Sequence, residues 1–340
     1  MDYAEVLQHA REKIGPKCKV CPECNGLGCG HSMPGPGSKG PDNGANVNYN
    51  AWRRIRLNMD TIEPNVAIDT TTTLFGRQLA FPLVSAPIGS IKYQFNLHDD
   101  VRDFNEQCMA ACESRGLVHF YATGREESVH RSAINSRLAH GNCGLPVINP
   151  EPDDNIIEQI QRCHAAAQPP LAISVVVDSA GLPHLKQLGG AGGTKSVAQL
   201  RALKEAAKVP FVVKGVMTVK GALKALEAGA DGIIVSNHGG RVLSDTPATA
   251  EVLGEIVDAV AGRAAIIVDG GIRTGLDLFK AYALGADVCL ICRPVLIAYY
   301  GAGQEGIECY FDKLKDELID TMYMCGARSI ADISRDMIRL

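Results

Sequence analysis

Eight short runs of aliphatic and β-branched residues recur along this chain, and segments of helical spacing fill the intervals between them. Such an alternation suits parallel strands joined by helical crossovers. The runs are Phe81 to Ala86, Leu117 to Tyr121, Leu145 to Ile148, Leu171 to Val177, Phe211 to Lys214, Gly232 to Ser236, Ala265 to Asp269 and Val288 to Ile291. Helical spacing covers Val101 to Ser114, Asn155 to Ala166, Val197 to Ala207, Val219 to Ala228, Ala248 to Val260 and Gly275 to Leu284. Two of these segments close on the same phrase, Ala228-Gly229-Ala230-Asp231 and Leu284-Gly285-Ala286-Asp287, where glycine suits a left-handed C-cap. We read residues 81–303 as a (β/α)8 TIM barrel and Gln304 to Cys325 as a closing helix, so that 81–340 form one unit. Residues 1–80 form an N-terminal extension that carries a cysteine cluster and covers the barrel bottom. A doubly wound open sheet is the alternative, but no nucleotide fingerprint follows the first run.

Polar groups collect where three neighbouring runs end. Val235-Ser-Asn-His238-Gly-Gly-Arg241 places a histidine and an arginine three residues apart in a glycine-rich turn. Phe211-Val-Val-Lys214 ends in a lysine, and Ile266-Ile-Val-Asp269-Gly-Gly-Ile-Arg273 ends in an aspartate followed by an arginine. A base and an anion clamp at the carboxyl ends of strands fit the way parallel barrels build active sites. Taken singly, a strand-end histidine or lysine is more often structural; the ordered set is what points to chemistry.

At 340 residues, 46% hydrophobic and 21% charged, the chain suffices for one large core. Its net charge of -4 is spread without basic blocks or interleaved aromatics, which argues against nucleic acid and anionic membranes and for a soluble protein acting on small molecules. Met1 to Gly15 has helical spacing, with Ala4, Val6, Leu7, Ala10 and Ile14 able to share a face, and lacks the apolar core of a signal peptide. No run is long enough to span a bilayer. Twelve cysteines without an export signal imply a reducing cytoplasm.

Four of those cysteines, Cys18, Cys21, Cys24 and Cys29, form C-x2-C-x2-C-x4-C ahead of an irregular glycine- and proline-rich run from Gly30 to Gly44. The tight spacing is closer to iron–sulfur ligation than to a zinc ribbon with separated pairs. A structural zinc site, with His31 as a possible ligand, and a set of free or redox-active thiols stay open. The remaining eight cysteines sit in apolar segments and read as small buried hydrophobes.

From Val209 to Ile338 the chain resembles the FMN-dependent 2-hydroxy-acid oxidases and dehydrogenases, the family of glycolate oxidase, lactate oxidase and flavocytochrome b2. The resemblance is carried by Lys214-Gly-Val, Ile234-Val-Ser-Asn-His-Gly-Gly-Arg241, Pro247-Ala-Thr, Asp269-Gly-Gly-Ile-Arg273, Ala283-Leu-Gly-Ala, Arg293-Pro294 and the ending Arg328-Ser329 to Ile333-Ser334-Arg335. Weaker likeness continues upstream in Asp69-Thr-Thr-Thr-Thr-Leu-Phe-Gly, Ser85-Ala-Pro-Ile-Gly89, Tyr121-Ala-Thr and Val177-Asp178. It implies FMN in the barrel and oxidation of a small 2-hydroxy acid, such as lactate, to the 2-oxo acid. His238 is then the base as a hydride equivalent passes to flavin N5, Asp178 its partner, and Arg241 the clamp on the substrate carboxylate, with Tyr121 near the substrate. Lys214 falls at the flavin N1–O2 edge, Pro87, Ile88 and Gly89 on the N5 side, and Ser236 completes the ring contacts. Asp269 would take ribityl hydroxyls, while Gly271, Arg273 and Arg293, with Cys292 beside it, would take the phosphate. The family also implies a homo-oligomer, by resemblance a tetramer. If the cysteines hold iron–sulfur, an electron-acceptor protein becomes a partner.

Three departures bear on substrate. The family's paired-tyrosine motif near the N-terminus is missing, Val147-Ile-Asn149-Pro150 stands where members carry glutamine and then tyrosine, and the lid after the fourth strand shrinks to Ser179 through Lys195. The rival activities are an FMN isomerase-type barrel, as in type 2 isopentenyl-diphosphate isomerases, and a noncatalytic flavin or iron–sulfur electron carrier; Asn237-His238-Gly-Gly-Arg241 argues against the isomerase.

Overall fold

A computed structural model describes residues 1–95, 100–124, 126–182 and 193–340. Eight strands close into a barrel in chain order. They are β1 (Leu83–Ser85), β2 (Val118–Ala122), β3 (Gly144–Ile148), β4 (Ile173–Val176), β5 (Phe211–Val216), β6 (Gly232–Val235), β7 (Ala265–Val268) and β8 (Val288–Ile291). Every neighbouring pair is parallel, β8 with β1 included. Each apolar run of the sequence falls on one of these strands, with β2, β3 and β5 reaching one or two residues beyond theirs. Alternate residues divide the core in two: Val84, Phe120, Leu145, Val212, Ile234 and Leu290 fill the barrel interior, while Tyr121, Ile148, Val213, Ile233 and Val268 pack outward against helices.

Besides a short helical turn at Ile91–Phe95, the helices are α1 (Tyr3–Lys13), α2 (Gly44–Arg54), α3 (Val101–Ser114), α4 (Glu127–Ala139), α5 (Asp153–His164), α6 (Val197–Ala207), α7 (Val219–Glu227), α8 (Thr249–Val260), α9 (Gly275–Ala283) and α10 (Arg293–Cys325). Helix α4 escapes the sequence pattern because it buries His130, Ser136 and Arg137 alongside Val129 and Ile134. Helix α10 loses helical backbone at Ala302 and Gly303, so the closing helix starts where the spacing placed it. In α1, Val6, Leu7 and Ala10 are buried, but Ala4 is exposed; Tyr3 stacks on Tyr310 at 5.0 Å instead. The repeated Gly-Ala-Asp phrase does the same work twice. Gly229 and Gly285 take φ of 89° and 100°, and the aspartates that follow accept from strand amides, Phe211 N to Asp231 at 2.8 Å and Ile266 N to Asp287 at 2.7 Å.

The first eighty residues reach both ends of the barrel. A hairpin of Thr72–Leu74 and Arg77–Leu79 adds Leu74 and Leu79 to the interior core and sets Phe75 against Gly232 at the start of β6. At the opposite end, Asn48 of α2 bonds Asn237 at 2.8 Å, and Trp52 Nε1 donates to the Gly270 carbonyl at 2.7 Å. Among the described residues no helix is long and apolar enough to cross a membrane.

Two buried histidines couple this packing to pH. Burial lowers the pKa of His119 to about 3 and that of His130 to about 4. A depressed base holds its full stabilising contribution above the unfolded value near 6.5 and loses it as pH falls, because the unfolded chain takes the proton first. Between pH 6 and 5 unfolding free energy is therefore expected to drop by about 1.4 kcal/mol per pH unit for each histidine. Urea titrations with excess FMN read the slope, and His119→Gln is expected to halve it; an unchanged slope refutes the assignment.

Candidate active site

Helical crossovers leave the carboxyl ends of the strands to carry polar groups, and the turn after β6 does so by an unusual backbone. His238, Gly239 and Gly240 take φ of 57°, 66° and 77° in succession, which a histidine tolerates only when its surroundings fix it. The fixing groups are Ser236 Oγ, which accepts from His238 N at 3.0 Å, and Asn237 Oδ1, which accepts from Gly240 N at 3.2 Å. The His238 ring meets the Asp178 carboxylate through Nδ1 at 3.1 Å. A carboxylate there makes Nδ1 the donor and leaves Nε2 as the acceptor. Asp178 comes this close because β5 continues through Gly215, with φ of 105°, where a Cβ would lie 2.6 Å from the Asp178 side chain.

Arg241, three residues on, is held by main-chain carbonyls of the N-terminal segment, Gly35 at 2.7 Å and Gly37 at 2.9 Å, and by the Gln94 side chain. Arg293 bonds the Pro36 carbonyl at 3.2 Å, and Arg273 bonds the Cys24 and Ile272 carbonyls, each at 2.6 Å. Among the described residues the hydrogen bonds of all three guanidinium groups go to neutral oxygens. Burial, with Arg293 nearby, pushes the Arg241 pKa down to about 10, the response of a cation that lacks an anion. Lys214, by contrast, is paired. It bonds Asp269 and, at 2.7 Å, Ser236 Oγ, and although burial opposes its charge, Asp269 and Asp178 raise its pKa.

These groups face one cleft of about 1110 Å³, counting the space open to solvent. Pro87, Ile88, Gly89, Lys214, His238, Arg241, Asp269, Gly271, Arg273, Cys292 and Arg293 line it. Ser236 and Asp178 stand behind that surface, on Lys214 and His238. The cleft fits FMN by its unsatisfied atoms: Asp269 Oδ1 and Arg273 Nη2 are buried without a hydrogen-bond partner among the described residues, an acceptor suited to a ribityl hydroxyl and a donor suited to a phosphate, after β7 where barrels bind that group.

Tyr121 requires a correction. It is fully buried on the outer face of β2 among helix-facing residues, whereas its neighbour Ala122 lines the cleft; the alternation of a strand turns the phenol away from substrate. Sequence reasoning also missed Gln94, Gly35 and Gly37 as partners of Arg241, and the Asn48–Asn237 pair that anchors the catalytic turn. No side-chain pattern marks them; Gly35 and Gly37 act through main-chain carbonyls. Asn149 lines the cleft, while most of the shortened lid, residues 183–192, lies outside the described residues.

The four N-terminal cysteines line a second, smaller cavity together with Lys19, Pro36, Phe95, Arg293 and Ile297. All twelve cysteines are free thiols, six of them buried. Burial pushes Cys18 up to about 12, with the three neighbouring thiols adding to the rise against a Val20 backbone hydrogen bond.

The family model for FMN-dependent dehydrogenase matches residues 36–188 and 184–340. The peroxisomal (S)-2-hydroxyacid oxidase GLO3 of Arabidopsis thaliana is 32% identical over 329 residues, covering 86% of this chain and 87% of that protein. L-lactate oxidase of Roseobacter sp. is 48% identical over 130 residues, 38% of this chain and 35% of its own length. Mandelate oxidase solved with 3,3-difluoro-2-hydroxy-3-phenylpropionic acid superposes with a TM-score of 0.78 at 26% identity, covering 100% of this chain and 99% of that one. Matches that run through both halves of the barrel, and relatives aligned over most of their own length, make this chain a member of the FMN-dependent dehydrogenase family, with FMN as its cofactor.

Proposed function

We propose that the protein oxidises a small 2-hydroxy acid to the 2-oxo acid with His238 as the base and Arg241 as the carboxylate clamp. The observation that carries this reading is His238, backed by Asp178, lining the same cleft as a buried guanidinium whose hydrogen bonds, among the described residues, go to neutral oxygens. Bound FMN supplies the acceptor for the hydride equivalent that leaves the substrate's α carbon. His238 Nε2 takes the hydroxyl proton, and Asp178 holds Nδ1–H and stabilises the imidazolium that results. Arg241 engages the carboxylate two-pronged, which orients the α C–H bond. Lys214 would stand at the N1–O2 edge of the flavin with Ser236 beneath it, and Pro87 to Gly89 on the N5 side. Asp269 would take the ribityl chain, and Gly271, Arg273 and Arg293, beside Cys292, the phosphate. On this reading 81–340 is the FMN-binding unit and 1–80 its cover. The working form is a homo-oligomer in the cytoplasm, a reducing setting that suits a chain of twelve cysteines.

The test is the visible spectrum of oxygen-free protein titrated with glycolate, lactate, mandelate and larger 2-hydroxy acids. Stoichiometric bleaching of the flavin by one of them is expected and names the substrate class. A flavin that none bleaches would point to the isomerase or carrier readings, and protein that takes up no FMN on reconstitution would overturn the proposal as a whole.

A further inference from the structure

The hydroxy-acid chemistry leaves the four thiols of the N-terminal loop without a task. That loop has no regular structure of its own, yet it is fixed from several sides. Arg11 Nε donates to the Val20 carbonyl at 3.1 Å, Arg273 Nε to the Cys24 carbonyl at 2.6 Å, Asn43 Nδ2 to the Gly26 carbonyl and Ser38 N to the Gly30 carbonyl, both at 3.0 Å. The result places all four cysteines around one cavity. At Gly28 a side chain would lie 2.8 Å from the Cys21 sulfur, so the backbone itself forms part of the sulfur pocket.

We propose that Cys18, Cys21, Cys24 and Cys29 ligate one iron–sulfur cluster, seated against Arg293 on the other side of the flavin cavity's wall. A cluster and a single ion differ in the scale of sulfur cage they need, and the tight spacing of the cysteines favours the cluster. Tetrahedral zinc with Zn–S bonds of about 2.3 Å draws its sulfurs to within about 3.8 Å of one another. A cluster takes one thiolate at each of several irons and spreads them more widely. The sequence adds the tight C-x2-C-x2-C run. The charge of a thiolate-bound cluster is negative, and the cavity wall supplies Lys19 and Arg293 as cations. The family match begins at residue 36, so this centre belongs to the chain's own extension rather than to the shared barrel.

The position gives the cluster two neighbours that matter. Phe95 and Arg293 line both cavities, so a two-residue partition separates cluster from cofactor. Downstream of Cys29 the same segment supplies the Gly35 and Gly37 carbonyls that hold Arg241. Ligation at the cysteines thus secures the strap over the anion clamp.

Protein purified without oxygen would be analysed for iron, acid-labile sulfide and zinc, and its dithionite-reduced form examined by low-temperature EPR. About four iron and four sulfide per chain are expected, with an EPR signal distinct from any flavin radical. Cys21→Ser and Cys24→Ser are expected to lose the iron, the sulfide and that signal while FMN stays bound, and Cys309→Ser to keep all three. Should the first two variants fail to fold, the stoichiometry of the parent decides alone. Zinc near one per chain without sulfide, no metal after reconstitution with iron and sulfide, or disulfides among the four cysteines of the native protein would each overturn the proposal. No hydroxy acid is added in these counts, so their failure leaves the oxidation reading standing, and an unbleached flavin leaves the cluster standing.

Discussion

Replacing His238 by asparagine is expected to slow reduction of the flavin by its hydroxy acid about 10²- to 10⁴-fold while leaving FMN bound. Asparagine is the substitution of choice because the position has φ of 57°, a conformation asparagine adopts more readily than most residues. The turn therefore survives, with Ser236 Oγ still accepting from the main-chain amide. What disappears is the acceptor nitrogen and the pairing with Asp178, and without them the hydroxyl proton has no base at the moment the hydride leaves. Stopped-flow absorbance at saturating substrate measures the step directly. A rate within a few fold of the parent would remove His238 from the mechanism even if the rest of the site held.

The second large effect belongs to Arg241. Its guanidinium is buried against Gly35, Gly37 and Gln94 oxygens, so the cost of dehydrating the charge is already met in the free enzyme and an incoming carboxylate finds it prepaid. Truncating one partner of a buried charge pair costs about 2–5 kcal/mol, which makes a loss in kcat/KM of roughly 10²- to 10³-fold or more the expectation for Arg241→Met. Arg241→Lys should recover only part, since an ammonium cannot reach both carbonyls and a carboxylate in one plane. The methyl ester of the substrate supplies the internal control. The parent should prefer the acid strongly and the methionine variant hardly at all; a preserved acid-to-ester ratio in the variant would place the clamp elsewhere, with Arg293 the next to test.

The barrel was readable because its signal is local and repeated: each strand is one apolar run, and parallel strands buried on both faces need no alternation to be recognised. The strand-end groups were readable for a related reason, since Lys214 and Asp269 end their runs and His238 and Arg241 stand in the turn just after theirs. Tyr121 shows where such reading stops. A run buried on both faces does not say which of its residues look inward, and a shift of one position exchanges the cleft for the helix layer, as Tyr121 and Ala122 demonstrate. Helix α4 was hidden by polar residues that the fold buries, Arg137 among them, whose guanidinium reaches the Gln168 carbonyl at 2.8 Å. The partners of Arg241 were beyond any local pattern, because glycine carbonyls leave no mark in a side-chain sequence.

The bonds from the N-terminal segment also set an order of events. Gly35 meets Arg241 across 206 residues, Cys24 meets Arg273 across 249, and Pro36 meets Arg293 across 257. Contacts so distant in sequence carry a large loop-closure cost and form late. On the ribosome the strap is made first and must wait, tethered but undocked, until β8 has emerged. The anion site thus cannot close before Arg293 has been made, and a chain stalled or truncated short of it carries its thiols and its strap with nothing to close over.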